Sequence, residues 1–459
     1  MKKRYITTLY CLLAFVFICG FLCCIGSYPL LDVDETRYVN MARDMFNTKD
    51  YLTLFLNGDY FFEKPPLFFW IECISFKLTG VISELTARLP IILLSLLPVG
   101  LLFFLCKKIK GERFAIISVM VLLTSLEYVI LTKIAMLDSV LASFAVSSVL
   151  CYFYTFYVEE KHKKYFWILT YVFSALAVLA KGIPGAAIPA FVIAVSTVVF
   201  KTYKETLKYS WGFLIFLLIT LPWHLVMLKI YGSLFFDEYI MKHHILRFLG
   251  SDVIHRSQPW YFYILTLLWG LFPHVFVLLG KFKYINLKDK FLTLNFIAAI
   301  SILVFFSLSK AKLITYILPI YPFLAVLIGA IWIKMHKLKL FLSVVISMSL
   351  LSGFLSPYIY KFNYSFGQDD LMKFANFAKE NNYTISTYMT GRKYSLLYYG
   401  NQSKIEFHNE EDLNWLKEEL KKENHIVITR NKEIENLPIK VKEKGVKYSI
   451  IERFDNEKQ

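Results

Sequence analysis

Charge is scarce in this sequence: Asp, Glu, Lys and Arg make up 19% of 459 residues, against 57% hydrophobic and 17% aromatic. A soluble chain of this length needs more ionised surface than that, so the shortage excludes a soluble globular enzyme and leaves a membrane protein. No glycine-rich nucleotide-binding loop is present, which argues against a nucleotide sugar as donor and predicts no nucleotide cofactor. The seven cysteines (Cys11, Cys19, Cys23, Cys24, Cys73, Cys106, Cys151) lie mostly in apolar runs, and their spacing fits neither a zinc site nor a disulfide framework. An internal repeat of the kind that marks many transporters is missing. No small-residue cleavage site follows the basic start MKKR, so the apolar run to Leu31 reads as an uncleaved first span with its N-terminus in the cytoplasm.

Apolar stretches of about 20 residues recur along the chain and predict about eleven transmembrane helices. They fall near 5–31, 88–106, 113–131, 139–158, 165–180, 184–200, 209–230, 259–280, 291–309, 314–333 and 338–357. The piece 65–80, PPLFFWIECISFKLTG, is short and carries Glu72 and Lys77. Loop charge decides its place. With it lying in the interface, KKIKGER, EEKHKK, KTYKETLK, KFKYINLKDK and KMHKLK all face the cytoplasm, as the positive-inside bias demands; with it crossing, all five flip. The net charge of +16 is therefore read as topology signals meeting anionic lipid, not as a nucleic-acid surface. After Pro357 the chain turns polar and Lys/Glu-rich, with strand-like ISTYM, IVIT and YSII between helical patterns, predicting a small α/β domain over 358–459 outside the membrane.

The opposite loops, 32–87 and 231–258 above all, hold the unusual residues. In DVDETRY and FFEKPP, Asp34 or Asp32 suits a general base or a stabiliser of positive charge at a sugar carbon, and Arg37 and Lys64 suit an anionic phosphate. Asp34 as a plain helix cap is an equally good account of that aspartate. Asp138 in TKIAMLD also reads as a cap when taken alone. Lys181 in AKGIPGA and Lys310 and Lys312 in SKAKLITY are cations at outer rims, against the usual bias, and so point to a bound anion. The loop FFDEYIMKHHILRFLGSDVIHRSQPWYFY supplies His244 and Arg247. Glu63 with His244 is a two-ligand metal candidate, a weak pattern at that separation. Carboxylates beside surplus cations at a membrane face suit a lipid-linked phosphosugar, whose tail stays in the bilayer while cations grip the leaving phosphate.

The ordered set DETRY, FEKP, Leu137-Asp138, Lys181-Gly182, LPW at 221–223, HxxRF at 244–248, His255-Arg256, PWYFY and KxKLxTYIL at 310–318 resembles the bacterial aminoarabinose (lipid A) transferases and, more distantly, the protein O-mannosyltransferases, both GT-C membrane glycosyltransferases. The resemblance runs from Asp34 to about Tyr316. It implies transfer of a sugar from undecaprenyl phosphate to lipid A or a related envelope acceptor, by inversion. Asp34 would be the main catalytic carboxylate and Asp138 a second; Arg37, Lys64, Lys181, Arg247, Lys310 and Lys312 would meet donor phosphate. Glu63 and His244 fall where the family places a divalent metal (zinc, magnesium or manganese), and Tyr316 where it lines the lipid pocket. Ile314 stands where the family's KLPTY has proline, and the chain is shorter than the familiar members by a pair of C-terminal spans.

The expectation is thus an α-helical polytopic GT-C protein of the bacterial inner membrane, with interfacial helices and a C-terminal periplasmic α/β domain. Its partners would be a polyprenyl-linked donor, a lipid A, glycan or protein acceptor, and membrane lipids, with no nucleic acid. Competing readings are a protein O-glycosyltransferase and a lipid-linked sugar flippase. The flippase should carry ionisable residues deep in its spans, whereas here they crowd one face.

Overall fold

The computed structural model describes residues 2–246, 257–355, 358 and 367–454. It divides into two compact units, one of residues 1–25, 62–79 and 85–356, the other of residues 26–61, 80–84 and 357–459. Residues 26–61 therefore cluster with the C-terminal segment rather than with the helices that precede and follow them in sequence.

The larger unit is helical. Among the described residues, seven helices are long and apolar enough to cross a membrane, among them Leu137–Thr155, Glu160–Lys181, Gly212–Tyr231 and Ile314–Met335. Two further spans arise if each of two bent pairs counts as one: Glu112–Leu123 with Leu126–Thr132, bent by 71°, and Phe262–Gly270 with Val275–Tyr284, bent by 111°. Ile6–Leu22 and Pro184–Phe200 are apolar but shorter. The sequence pattern places a span at each of these positions; a hydropathy run is blind to the two breaks, because a bend leaves composition unchanged. This is a multi-pass membrane protein. The helix Leu67–Thr79 has 13 residues, a length of about 20 Å that falls short of an apolar core of roughly 30 Å.

Glycine sets the closest approach in this unit. A Cβ on Gly185 would stand 2.3 Å from the backbone carbon of Ala177, so helix Pro184–Phe200 meets Glu160–Lys181 at a distance only glycine allows. Gly182 ends the earlier helix at φ 93°, a conformation that disfavours any side chain. The pair thus forms a tight hairpin with Lys181 at its turn.

The smaller unit is α/β. Helix Asp34–Thr48 buries Tyr38, Met41, Ala42 and Met45, a spacing of three and four that lays one face inward. Strands β1 (Phe55–Leu56) and β2 (Asp59–Tyr60) form a hairpin over Asn57-Gly58, both at positive φ, as a two-residue turn of the I′ type requires. The Asn57 side chain then bonds both backbone groups of Ile405, donating to its carbonyl and accepting from its N–H, each at 2.7 Å. Strands β3 (Thr384–Tyr388), β4 (Glu406–His408), β5 (His425–Arg430), β6 (Ile439–Lys444) and β7 (Tyr448–Phe454) form one sheet in the order β4-β3-β5-β7-β6. β3 is parallel to both β4 and β5, and β7 is antiparallel to β5 and β6. Helices Gln368–Glu380 and Tyr394–Tyr399 pack one face through Leu371, Phe374 and Leu396 on Ile385, Ile428 and Ile450. Helix Leu413–Glu419 covers the other through Leu416 on Val427 and Ile451. This is a doubly wound arrangement, as the alternating strand and helix patterns of the C-terminal sequence imply.

Candidate active site

In the smaller unit, the two aspartates of DVDETRY part ways. Asp32 is buried at 4% exposure, and its Oδ1 accepts from the Thr36 hydroxyl at 2.7 Å and from the Ser395 N–H at 3.0 Å. Burial pushes its pKa up, and the Lys393 ammonium draws it partly back. Asp32 is thus a staple between the segment 26–61 and the C-terminal segment. Asp34 has a side chain 39% exposed and sits at the first position of its helix, where Arg37 Nη2 donates to it at 2.8 Å. The residue at the cap position is Val33, and the carboxylate that reaches back to a free N–H is Glu35, accepting from Leu31 at 2.7 Å. Asp34 is therefore not spent on capping. Its partner Arg37 also donates to the Tyr38 hydroxyl at 2.7 Å and lies 4.7 Å from that ring.

In the larger unit, Asp138 and Lys181 form a direct ion pair, with side chains 8% and 10% exposed. Asp138 begins helix Leu137–Thr155 and Lys181 ends Glu160–Lys181, so opposite helix ends bring acid and base together with the favourable sense of both dipoles. The Lys181 ammonium also lies 4.2 Å from the centre of the Tyr316 ring. Three sequence motifs, LD, KG and the TY of KLITY, so meet at one point.

Lys64 is buried at 7% exposure, with its ammonium on the Glu63 carbonyl at 3.0 Å. Beside it, Glu63 Oε2 lies 3.7 Å from His243 Nδ1, while His243 Nε2 faces Glu238 Oε2 at 3.6 Å. Glu238 in turn accepts from Lys242 at 2.9 and 3.0 Å. The imidazole between two carboxylates is thus His243, one residue before the histidine singled out by motif. Arg247 lies outside the described residues, as does the side chain of His244. Both His243 nitrogens face carboxylates, at 3.7 and 3.6 Å. Among the described residues no group of three or more His, Cys, Asp or Glu has the geometry to hold a metal ion.

The two rim lysines of SKAKL differ in use. Lys310 is exposed. Lys312 is buried, donating to the Gln258 carbonyl at 3.0 Å and to the Ser309 carbonyl, and burial holds its pKa below the ordinary lysine value. Ser257 bridges Ala311 in the same small junction. Lys312 thus fastens one loop to the next. No local pattern could have told it from Lys310, since only the fold decides which one points at carbonyls.

The family profile described as dolichyl-phosphate-mannose-protein mannosyltransferase matches residues 7–234. A relative in Shewanella sediminis, named undecaprenyl phosphate-alpha-4-amino-4-deoxy-L-arabinose arabinosyl transferase, is 28% identical over 317 residues, 68% of this chain and 58% of the relative. An uncharacterised protein of Aquifex aeolicus is 31% identical over 304 residues, 65% of this chain and 67% of its own length. The chain belongs to the GT-C glycosyltransferase family of the aminoarabinose and protein mannosyl transferases.

The architecture agrees with that membership. ArnT from Cupriavidus metallidurans, solved bound to undecaprenyl phosphate, superposes with a TM-score of 0.80 at 18% identity, covering 97% of this chain and 98% of that one. The archaeal oligosaccharyltransferase AglB from Archaeoglobus fulgidus follows with a TM-score of 0.56 at 11% identity, over 94% and 70%. At these identities the likeness is one of fold. The chain spans 58% of the length of the Shewanella transferase.

Proposed function

We propose that this family member transfers a sugar from undecaprenyl phosphate to lipid A or a related envelope acceptor at the periplasmic face of the bacterial inner membrane, its N-terminus cytoplasmic and its C-terminal unit periplasmic. The observation that carries this reading is the Lys181 ammonium, fixed by Asp138 at the end of a span and closed over by Tyr316. That is where the phosphate of a membrane-held lipid would arrive.

In this reading the acceptor oxygen attacks the anomeric carbon from the face opposite the phosphate, and the Asp34 carboxylate stabilises the positive charge that grows on that carbon whichever acceptor is used. The bond from that carbon to the phosphate oxygen breaks, its electron pair stays with the leaving polyprenyl phosphate, and the centre inverts. Lys181, Lys64, Arg37, Arg247 and Lys310 take the growing phosphate charge, as preorganised cations do for developing anions. Asp34 takes the proton of a hydroxyl acceptor; a phosphate acceptor is already ionised and needs no base. A metal held by Glu63 and His244 is a separate proposal, tested by the metal content of the purified protein before and after Glu63→Ala.

The description of the matching family profile favours a second reading, transfer to protein hydroxyls. Proteoliposomes loaded with undecaprenyl-phosphate sugars and offered lipid A or a hydroxyl-bearing peptide decide between the two by mass spectrometry. Glycosylated lipid A, lost in Asp34→Asn and Lys64→Ala, is the expected result. Full activity in both variants overturns the assignment of the site.

A further inference from the structure

The smaller unit carries a feature that the transfer chemistry does not use. The chain leaves β3 for β4 on one side and then crosses back to β5 on the other, with helices on opposite faces. The carboxyl ends of β3 and β5 therefore flank a topological switch point, where open α/β sheets form ligand crevices. The loop after β3 is Met389-Thr390-Gly391-Arg392-Lys393, and Arg430 closes β5.

Cations converge there. Arg430 donates through Nη2 to the Thr390 carbonyl at 2.8 Å, which folds its guanidinium over the β3 loop. Gly391, at φ 73°, leaves the space a Cβ would take, 3.6 Å from that same guanidinium nitrogen. Tyr448 stands opposite Arg430 in the β5-β7 register, with Lys447 beside it and the Asn431 N–H bonded to the Lys447 carbonyl at 2.9 Å. Lys393 lies within electrostatic reach of Arg430, Lys447 and Asp32. Two carboxylates oppose these cations, and both are committed. Asp370 accepts from the N–H groups of Lys447 and Tyr448 at 2.7 and 3.1 Å, and Asp32 accepts from Thr36 and Ser395.

The crevice also holds buried donors. Arg430 Nε, Tyr448 Oη and Ser395 Oγ are buried without a hydrogen bond of full geometry: the Ser395 hydroxyl faces Asp32 and the Tyr448 hydroxyl faces Arg430, and Tyr448 and Ser395 are both at 0% exposure. Buried polar atoms normally make hydrogen bonds of good geometry, and three that fall short of it beside converging cations leave room for a further acceptor. The geometry points to an anion site at the carboxyl ends of β3 and β5, built by Arg430, Lys393 and Lys447 with the Tyr448 hydroxyl, that takes a phosphomonoester. Such a group offers three acceptor oxygens and close to two negative charges, which match several cations plus hydroxyl donors better than a single carboxylate does. Its assignment to a phosphate on the sugar acceptor rests on the transferase reading above; the site itself does not. Asp32 links the crevice to the start of the helix that carries Asp34.

The test uses the full chain in lipid nanodiscs and scores binding without transfer, so that loss of this site and loss of the transferase reading are separate results. Inorganic phosphate and glucosamine 1-phosphate are titrated calorimetrically against chloride at matched ionic strength. Arg430→Gln and Lys393→Gln are each expected to weaken phosphate binding about tenfold; Arg430→Lys keeps the charge and loses less. Unfolding midpoints without phosphate identify any variant that fails to fold. Nanodiscs carrying a phosphorylated glycolipid or its dephosphorylated form separate the sources. Competition by the phosphorylated glycolipid alone assigns a membrane ligand, and no competition by either assigns a free one. Phosphate affinity that is the same in folded Arg430→Gln and Lys393→Gln as in the unsubstituted chain overturns the proposal.

Discussion

Lys181 forms an ion pair with Asp138 across two membrane helices, and the ring of Tyr316 covers the same ammonium at 4.2 Å. Removing either partner leaves a buried charge without compensation, a loss of about 3 kcal/mol or more, whereas removing both leaves neither charge stranded. Lys181→Ala and Asp138→Ala are expected to lower the unfolding midpoint in detergent, and the double variant to recover part of it. Transfer should be lost in all three. A double variant that regains activity with stability would reduce the pair to scaffolding.

The two aspartates of DVDETRY should respond in opposite ways to the same change. Asp34→Asn removes a half-exposed carboxylate whose one partner among the described residues is Arg37, so folding changes little while transfer falls by about a hundredfold or more. Turnover measured beside the unfolding midpoint separates the two effects.

Asp32→Asn keeps an oxygen to accept from Thr36 and Ser395 and removes a charge that burial disfavours. Because the folded-state pKa is raised, protonation of Asp32 contributes stability fully present below its ordinary value of 3.8 and lost as pH rises through the raised one. At neutral pH the ionised group is a cost, partly offset by Lys393. The asparagine variant should therefore match or exceed the unsubstituted protein in midpoint at pH 7, with the difference shrinking toward pH 4. Asp32→Ala loses both bonds and should be less stable throughout that range.

Gly185→Ala places a methyl within 2.3 to 2.5 Å of the backbone at Ala177 and Val178. Backbone cannot step aside as a flexible side chain does, so the hairpin that presents Lys181 must open. A loss of about 2 kcal/mol or more and a matching fall in transfer are expected, while Gly100→Ala, which meets nothing within 4 Å, should be silent. Thermal unfolding of the two variants side by side checks this.

Composition and hydropathy alone determined that the chain crosses a membrane many times, because apolar runs of spanning length have no other stable setting, and they marked the polar α/β segment after Pro357. The ordered motifs DETRY, FEKP, LD, KG and KLITY determined the family. What they left open were matters of direction and distance. Asp32 and Asp34 are two residues apart and equally acidic, yet packing of the C-terminal segment on the segment 26–61 buries one and leaves the other half-exposed. Lys310 and Lys312 look alike in sequence; backbone carbonyls capture the second and not the first. His243 lies beside Glu63, a proximity between distant parts of the chain that residue type does not announce. Local residue chemistry sets what a segment can be, but the partners of a charge can come from distant parts of the chain, as Ser395 does for Asp32 and His243 for Glu63, and only the fold brings them within a few ångströms.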